Sequence, residues 1–118
     1  MRTAGIDIGS ITAKAAVVED GKILGTNVIF TGYNAEAAGV KVYEDLLAET
    51  GLDASSVDKI VSTGYGRNSV KFADRTFTEI MAHASGANFL NPEVRTIIDI
   101  GGQDSKAIAL DERGKVKN

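Results

Sequence analysis

The sequence predicts an α/β fold built on a mixed sheet, with elements in the order βββαβ(β)α followed by a terminal β-hairpin. Three observations carry this prediction. The chain opens with three apolar strand segments, strand and helix segments alternate after them, and the last strand segments again form a hairpin. A meander followed by strand–helix alternation is typical of a mixed sheet covered by helices.

The first three segments form the meander. Residues 3–9 have the apolar character of a buried strand, and residues 14–20 form a second strand after a tight bend. Asp20-Gly21 is a strong signal for a two-residue hairpin turn, so residues 22–30 are predicted to return as a third, antiparallel strand.

A helix follows the meander. Apolar residues recur at helical spacing, with Asn34 as a predicted N-cap and Gly51 as the C-terminal stop. Residues 57–64 then form a short strand. The segment "RTFTEI" is predicted to contain a brief strand before the next helix.

The second helix is predicted over about residues 77–90. Thr76 and Glu79 have the spacing of a capping box at its start, and Asn91-Pro92 ends it. The segment "VRTIIDIGG" returns to strand, and "KAIALDERGKVKN" supplies its hairpin partner.

Composition excludes several classes of function. Thirteen Lys and Arg against 16 Asp and Glu give a net charge of −3, which provides no electrostatic footprint for nucleic acid. No apolar run approaches the roughly 20 residues of a membrane span. The N-terminus enters a strand pattern directly and leaves no room for a signal peptide, so a cytoplasmic setting is predicted.

The chain has no cysteine, which excludes disulfides, thiolate chemistry and iron–sulfur ligation by its own residues. The single histidine, His83, is interpreted as a helix-surface or packing residue with no acidic partner one turn away. A bound metal is therefore expected to be a hard cation on oxygen ligands, with Mg²⁺ the natural candidate.

One motif occurs twice. A strand ends in Asp-x-Gly, the chain bends, and a lysine follows; the second copy lies 92 residues after the first. The repeated residues are Asp7, Gly9 and Lys14 in the first copy and Asp99, Gly101 and Lys106 in the second.

This motif suits Mg²⁺–phosphate chemistry. A glycine-permitted turn presents backbone N–H groups to phosphate oxygens, and the hydroxyl of Ser10 or Thr12 adds a donor. The aspartate would hold Mg²⁺ through water, and Lys14 would neutralise phosphate charge. The alternative is a strand that ends in an ordinary glycine turn with a solvated aspartate.

Four segments resemble one family: "GIDIGSITAK", "STGYGRNSV", "TEIMAHASGANFLNP" and "TIIDIGGQDSKAI". They are similar to the ATP-dependent activators of 2-hydroxyacyl-CoA dehydratases and the related benzoyl-CoA reductase ATPase subunits, within the actin, Hsp70 and sugar-kinase superfamily. The resemblance implies ribonuclease-H-like lobes with ATP between them. It also implies an iron–sulfur cluster at a homodimer interface and electron transfer to a dehydratase partner.

The resemblance assigns the "TGYGR" loop, which contains Tyr65, to the neighbourhood of the cleft. Arg67 of this loop either contacts a phosphate or the other lobe, or caps its own loop. Asp104 is interpreted as a metal- or water-positioning group, with a turn residue as the alternative. Candidate catalytic residues are Asp7, Asp99 and Asp104, with Asp7 and Asp99 also as candidate metal ligands. Candidate cofactor-binding residues are Gly9, Ser10, Thr12, Lys14, Gly64, Gly66, Arg67, Gly101, Gly102, Gln103 and Lys106.

The predicted domains are a first ribonuclease-H-like ATPase lobe over residues 1–95 and a second phosphate-binding hairpin over 96–118, the start of a second lobe. The chain is thus expected to be a fragment or a half-protein that binds Mg-ATP or Mg-ADP with weak or absent turnover and holds no iron–sulfur cluster.

Two other functions remain open. The first is a structural module that forms a homodimer, with hairpin exchange as one route, because the terminal hairpin carries apolar residues that expect a partner. These residues are Ile97, Ile98, Ile100, Ile108 and Leu110. The second is a ribonuclease-H-type nuclease, which needs clustered carboxylates around two metal ions.

Overall fold

The computed structural model describes residues 1–101 and 105–117. The chain divides into two compact units, Met1–Phe77 and Thr78–Asn118. Both combine a helix with antiparallel strands, which confirms the predicted α/β class. The division into lobes at residue 96 stays a prediction.

The first unit is built on a five-stranded sheet. Its strands, in chain order, are β1 (Arg2–Ile8), β2 (Thr12–Glu19), β3 (Lys22–Phe30), β4 (Lys59–Thr63) and β5 (Arg75–Thr76). Their spatial order is β3-β2-β1-β4-β5. The first three pair antiparallel, whereas β1–β4 and β4–β5 pair parallel. The predicted mixed sheet is therefore confirmed.

Helix α1 (Ala35–Thr50) covers the apolar face of this sheet. The Asn34 side chain accepts a hydrogen bond from the backbone N–H of Ala37, and Gly51 adopts φ 73° while its N–H donates to the carbonyl of Leu47. Both predicted helix ends are confirmed. The fully buried side chains at this interface include Ile6, Ile8, Val17, Val42 and Leu46.

The second unit combines helix α2 (Glu79–Leu90) with an antiparallel hairpin of β6 (Thr96–Ile100) and β7 (Ser105–Ala109). A further bridge joins Leu110 to Val116. Three of the five apolar hairpin residues that were predicted to await a partner pack within the unit itself. Ile108 and Leu110 are buried with Ala84 in the core of the unit, and Ile97 packs against them.

The predicted start of α2 is wrong: the N-cap is Thr78, two residues later than predicted. Thr78, and not Thr76, accepts a hydrogen bond at 3.3 Å from the backbone N–H of Met81. Thr76 belongs to β5, where it pairs with Ser62 of β4. The N–H of Phe77 donates to the Ser62 carbonyl at 2.9 Å, so the sheet holds this segment extended until residue 78.

No helix in the part of the chain that the structure describes is long and apolar enough to cross a membrane.

Candidate functional site

The bend between β1 and β2 is a tight two-residue turn. The N–H of Gly9 donates to the carbonyl of Thr12 at 2.9 Å, which leaves Ser10 and Ile11 exposed at the tip. A Cβ on Gly9 would lie 3.0 Å from the Thr12 carbonyl oxygen, so this position favours glycine. The Thr31 hydroxyl, one residue after β3, donates to the Gly9 carbonyl at 2.8 Å and anchors the turn.

Asp7 and Lys14 are direct cross-strand neighbours at the base of this turn. Nζ of Lys14 lies 3.7 Å from Oδ2 of Asp7, and their side chains are 42% and 29% exposed, respectively. Nζ of Lys14 also donates to the hydroxyl and the carbonyl of Thr12, at 2.8 and 3.2 Å. The structure therefore brings together three of the predicted residues as a solvent-accessible group of one acid, one base and one hydroxyl.

The predicted glycine loop after β4 lies directly against Asp7. β4 runs parallel to β1, and its last residue, Thr63, is the register partner of Asp7. The N–H of Gly66 donates to the Ile8 carbonyl at 2.9 Å. Gly64 adopts φ 91°, and a Cβ there would collide with Oδ1 of Asp7 and with the Ile8 backbone. Only glycine at residue 64 allows the loop to approach the carboxylate this closely.

Arg67 caps its own loop. Its Nη1 donates to the Gly64 carbonyl at 3.0 Å, and its carbonyl accepts from the Ser62 hydroxyl at 3.0 Å. This is one of the two arrangements left open by the sequence; a phosphate contact by Arg67 stays a prediction. Tyr65 is 78% exposed beside it.

Thr63 is a polar residue of this site that was not among the predicted site residues. Its hydroxyl is buried and has no hydrogen-bond partner within the described ranges 1–101 and 105–117. The position of Thr63, beside Asp7 and immediately before the glycine loop, marks it as a polar group of the same site. Its place as the last strand residue before a glycine was the signal available in the sequence.

The strands of the second hairpin repeat the cross-strand pair of the first. Asp99 of β6 and Lys106 of β7 are direct cross-strand neighbours, and Nζ of Lys106 lies 3.7 Å from Oδ2 of Asp99. The Lys106 side chain is 21% exposed and the Asp99 side chain is 25% exposed. Gly101 follows β6; the predicted site residues Gly102, Gln103 and Asp104 lie outside the described residues.

Helix α2 adds two residues to the second pair. Oε2 of Glu79 lies 3.1 Å from Nζ of Lys106, within hydrogen-bond distance. Nδ1 of His83 lies 3.3 Å from Oδ2 of Asp99, an ion-pair distance without hydrogen-bond geometry. The expectation that His83 has no acidic residue one turn away is wrong, because Glu79 stands four residues before it, and Asp99 of the hairpin lies beside its ring. Glu79 and His83 are four residues apart on one helix face, and this spacing was visible in the sequence.

Within the described part of the chain, no group of three or more His, Cys, Asp or Glu side chains is arranged to hold a metal ion. Each hairpin instead offers a single aspartate beside a lysine. This donor set fits Mg²⁺, which proteins commonly bind through one or two carboxylates while substrate phosphates and water complete the coordination.

Comparison with known proteins gives a consistent result. The model of the BadF/BadG/BcrA/BcrD ATPase family matches residues 4–118. The chain is 42% identical over 119 residues to the 2-hydroxyisocaproyl-CoA dehydratase activator of Clostridioides difficile, covering 100% of this chain and 44% of that protein. The chain thus spans less than half the length of this relative.

Two solved structures are similar over the whole chain. Component A of (R)-2-hydroxyglutaryl-CoA dehydratase from Acidaminococcus fermentans has a TM-score of 0.93 at 34% identity, with 46% of that chain covered. The activator of 2-hydroxyisocaproyl-CoA dehydratase from Clostridium difficile, with bound ADPNP, has a TM-score of 0.90 at 42% identity, with 44% covered. A ROK hexokinase from Thermus thermophilus shares the fold, with a TM-score of 0.69 at 17% identity.

Proposed function

The chain belongs to the BadF/BadG/BcrA/BcrD ATPase family, and on that premise we propose that its two Asp-x-Gly hairpins bind the phosphates of one Mg-ATP or Mg-ADP. The observation that carries this proposal is the repeated cross-strand pair. Asp7–Lys14 and Asp99–Lys106 have the same register relation to their bends and the same 3.7 Å separation. The relative with bound ADPNP supports a nucleotide as the ligand.

Each group of the first hairpin has a chemical role in this proposal. Lys14 already donates to the Thr12 hydroxyl, so its ammonium group is oriented toward the bend and can pair with a phosphate oxygen. Asp7 holds Mg²⁺ through water, and the backbone N–H groups of the turn donate to phosphate oxygens. Thr63 supplies a hydroxyl without a partner in the described ranges.

The second hairpin takes the same roles through Asp99 and Lys106. Mg²⁺, when bound, neutralises phosphate charge and orients the nucleotide. Gly102, Gln103 and Asp104 complete the proposed phosphate contacts, with Asp104 positioning water or metal. Turnover by these residues alone is proposed to be weak or absent.

The activity of the longer relatives remains a proposal for this chain, because the chain covers 44% of the first relative's length. A dehydratase is the proposed partner, since similar proteins carry the name of dehydratase activators. The chain has no cysteine and supplies no thiolate to an iron–sulfur cluster.

Isothermal titration of the full chain with Mg-ATP tests the phosphate site. We expect measurable binding that Lys14→Ala weakens by about tenfold, because a charge-assisted hydrogen bond to phosphate is lost. Asp7→Asn should weaken the dependence on Mg²⁺. The matched controls are Lys41→Ala and Asp45→Asn, which remove an exposed lysine–aspartate pair from α1 and should leave binding unchanged.

A flat titration of the wild-type chain would reject nucleotide binding. Equal losses in the Lys14 and Lys41 variants would show that general charge, and not the hairpin, attracts the nucleotide.

A specific observation also favours self-association. Ile98 and Ile100 lie on the same face of β6 and are 73% and 78% exposed, so this face of the strand presents an apolar surface. We propose a homodimer that covers these two side chains. Sedimentation at tens of micromolar tests it: Ile98→Lys should shift the chain toward monomer, whereas Ile23→Lys on β3, where the wild-type residue is 54% exposed, should not.

A ribonuclease-H-type nuclease has no comparable support. Two-metal hydrolysis needs several carboxylates around the ions, and the described residues contain no such group.

A further inference from the structure

The two hairpin lysines have different neighbours. In the first hairpin, Nζ of Lys14 donates to the neutral hydroxyl of Thr12 at 2.8 Å. In the second, Nζ of Lys106 lies 3.1 Å from a carboxylate oxygen of Glu79, a residue that comes from α2 and not from the hairpin. In the second hairpin, the ammonium group is therefore held by a carboxylate that comes from outside the hairpin.

We propose that Glu79 sets the affinity of the second hairpin for phosphate: its carboxylate holds Lys106 Nζ where a phosphate oxygen would otherwise bind, and an arriving phosphate displaces it. This inference rests on the proposed phosphate-binding function of the hairpin. It adds a residue outside the hairpin to the proposed site.

Asp99 is not the carboxylate that the phosphate displaces. It lies between two basic side chains, with His83 Nδ1 at 3.3 Å and Lys106 Nζ at 3.7 Å, so it keeps a neighbour when Lys106 turns to a phosphate. Oxygen ligation of Mg²⁺ also requires Asp99 to stay beside the bend in the proposed function.

Glu79 keeps one favourable interaction after displacement. It is the first residue of α2, and a carboxylate in the first turn of a helix is stabilised by the positive end of the helix dipole. The Glu79 and Lys106 side chains are also 35% and 21% exposed. A partly exposed ion pair is weak enough for a multiply charged phosphate group to replace one partner.

Titration of the full chain with Mg-ATP, and separately with inorganic pyrophosphate, tests this role. We expect Glu79→Gln to tighten binding of both probes by about twofold to fivefold, the range expected from releasing a partly exposed ion pair. The control is Glu93→Gln, which makes the same charge change at an exposed residue just after Pro92 and should leave affinity unchanged.

Two further variants connect the effect to Lys106. Adding Lys106→Ala to Glu79→Gln should abolish the gain, because the ammonium group that pairs with the phosphate is then absent. Glu79→Asp shortens the side chain while it keeps a carboxylate at the helix N-terminus, so it should also tighten binding and serves if Glu79→Gln does not fold. Thermal unfolding followed by circular dichroism checks that each variant is folded.

The outcomes of these titrations separate the role of Glu79 from the proposed nucleotide binding. If the wild type binds and Glu79→Gln binds no tighter, the role of Glu79 is rejected while the proposed function stands. If the wild type does not bind and Glu79→Gln does, the role of Glu79 is supported and wild-type nucleotide binding is rejected. If neither binds, both are rejected, and equal gains in Glu79→Gln and Glu93→Gln reject a specific effect of Glu79.

Discussion

Gly64 is the residue on which the first hairpin and the loop after β4 depend together. Its φ of 91° lies in a region that favours glycine, and the space where a Cβ would stand is already filled by the Asp7 carboxylate and the Ile8 backbone. The carboxylate therefore has a fixed neighbour on one side. A change at Gly64 would act both on backbone strain and on the position of Asp7.

We expect Gly64→Ala to lower the free energy of unfolding by about 3 kcal/mol, because strain and a steric clash add. Gly32→Ala is the matched control: φ there is 67°, but nothing lies within 4 Å of the added Cβ. That control should cost only about 1 kcal/mol for the backbone conformation. Urea unfolding measures both; similar losses in the two variants would contradict the clash with Asp7.

Asp111 is the residue whose titration links pH to stability. Its carboxylate accepts hydrogen bonds from the backbone N–H groups of Lys115, at 2.9 Å, and Arg113, at 2.8 Å. These bonds, that from Lys115 first, lower the pKa of Asp111 below its ordinary value of 3.8. A lowered pKa in the folded state means that the carboxylate stabilises the fold above the ordinary carboxyl pKa and loses this effect as pH falls through the lowered value.

We therefore expect Asp111→Asn to be less stable than the wild type near pH 7, and the difference to shrink as the pH falls below the ordinary carboxyl pKa of 3.8. Glu112→Gln, at the neighbouring exposed position, should show no such pH-dependent difference. Urea unfolding across this range gives both curves. A difference that stays constant with pH would mean that the charge of Asp111 does not matter.

At the scale of elements, the start of α2 shows how a sheet decides where a helix begins. Both Thr76 and Thr78 are residue types that cap helices, but Thr76 pairs with Ser62 in the sheet and only Thr78 is free to accept from Met81. The position of Glu79, and with it the contact to Lys106, follows from this boundary.

We expect Thr78→Ala to destabilise the second unit by about 1 kcal/mol, the usual cost of losing an N-cap hydrogen bond. Thr76→Ala, at an exposed position on the edge strand β5, should cost less than half of that. Hydrogen exchange of the amides in the first turn of α2 localises the effect. A larger loss from Thr76→Ala would show that Thr76 is the cap in solution.

At the scale of the whole molecule, ligand binding and stability are linked by mass action. If Mg-ATP binds the folded chain with a dissociation constant of about 0.1 mM, 5 mM ligand adds about 2.3 kcal/mol to the free energy of unfolding. We expect the Tm to rise by several degrees. Lys14→Ala should reduce the rise, and MgCl2 alone should not produce it. An equal rise in wild type and in Lys14→Ala would place the binding elsewhere.

The features that could be predicted are those whose backbone conformation is determined by residues adjacent in the sequence. The Asp20-Gly21 turn, the cap at Asn34 and the stop at Gly51 follow from local backbone preferences, and each is confirmed. The cross-strand pairs were also within reach, because a turn of known length places residues at equal distances on its two sides opposite each other. The family resemblance, carried by short motifs, is confirmed over residues 4–118.

The sequence by itself determined the order of the elements, both helix ends of α1 and the repeated Asp-x-Gly bend, since these depend on periodicity and turn chemistry over a few residues. Only the tertiary structure decided that Gly64 lies against Asp7 and that Glu79 and His83 lie beside Lys106 and Asp99. These residues are distant along the chain, and what brings them together is strand register and the docking of a helix on its own hairpin. No local pattern encodes such contacts, because they depend on how whole elements pack.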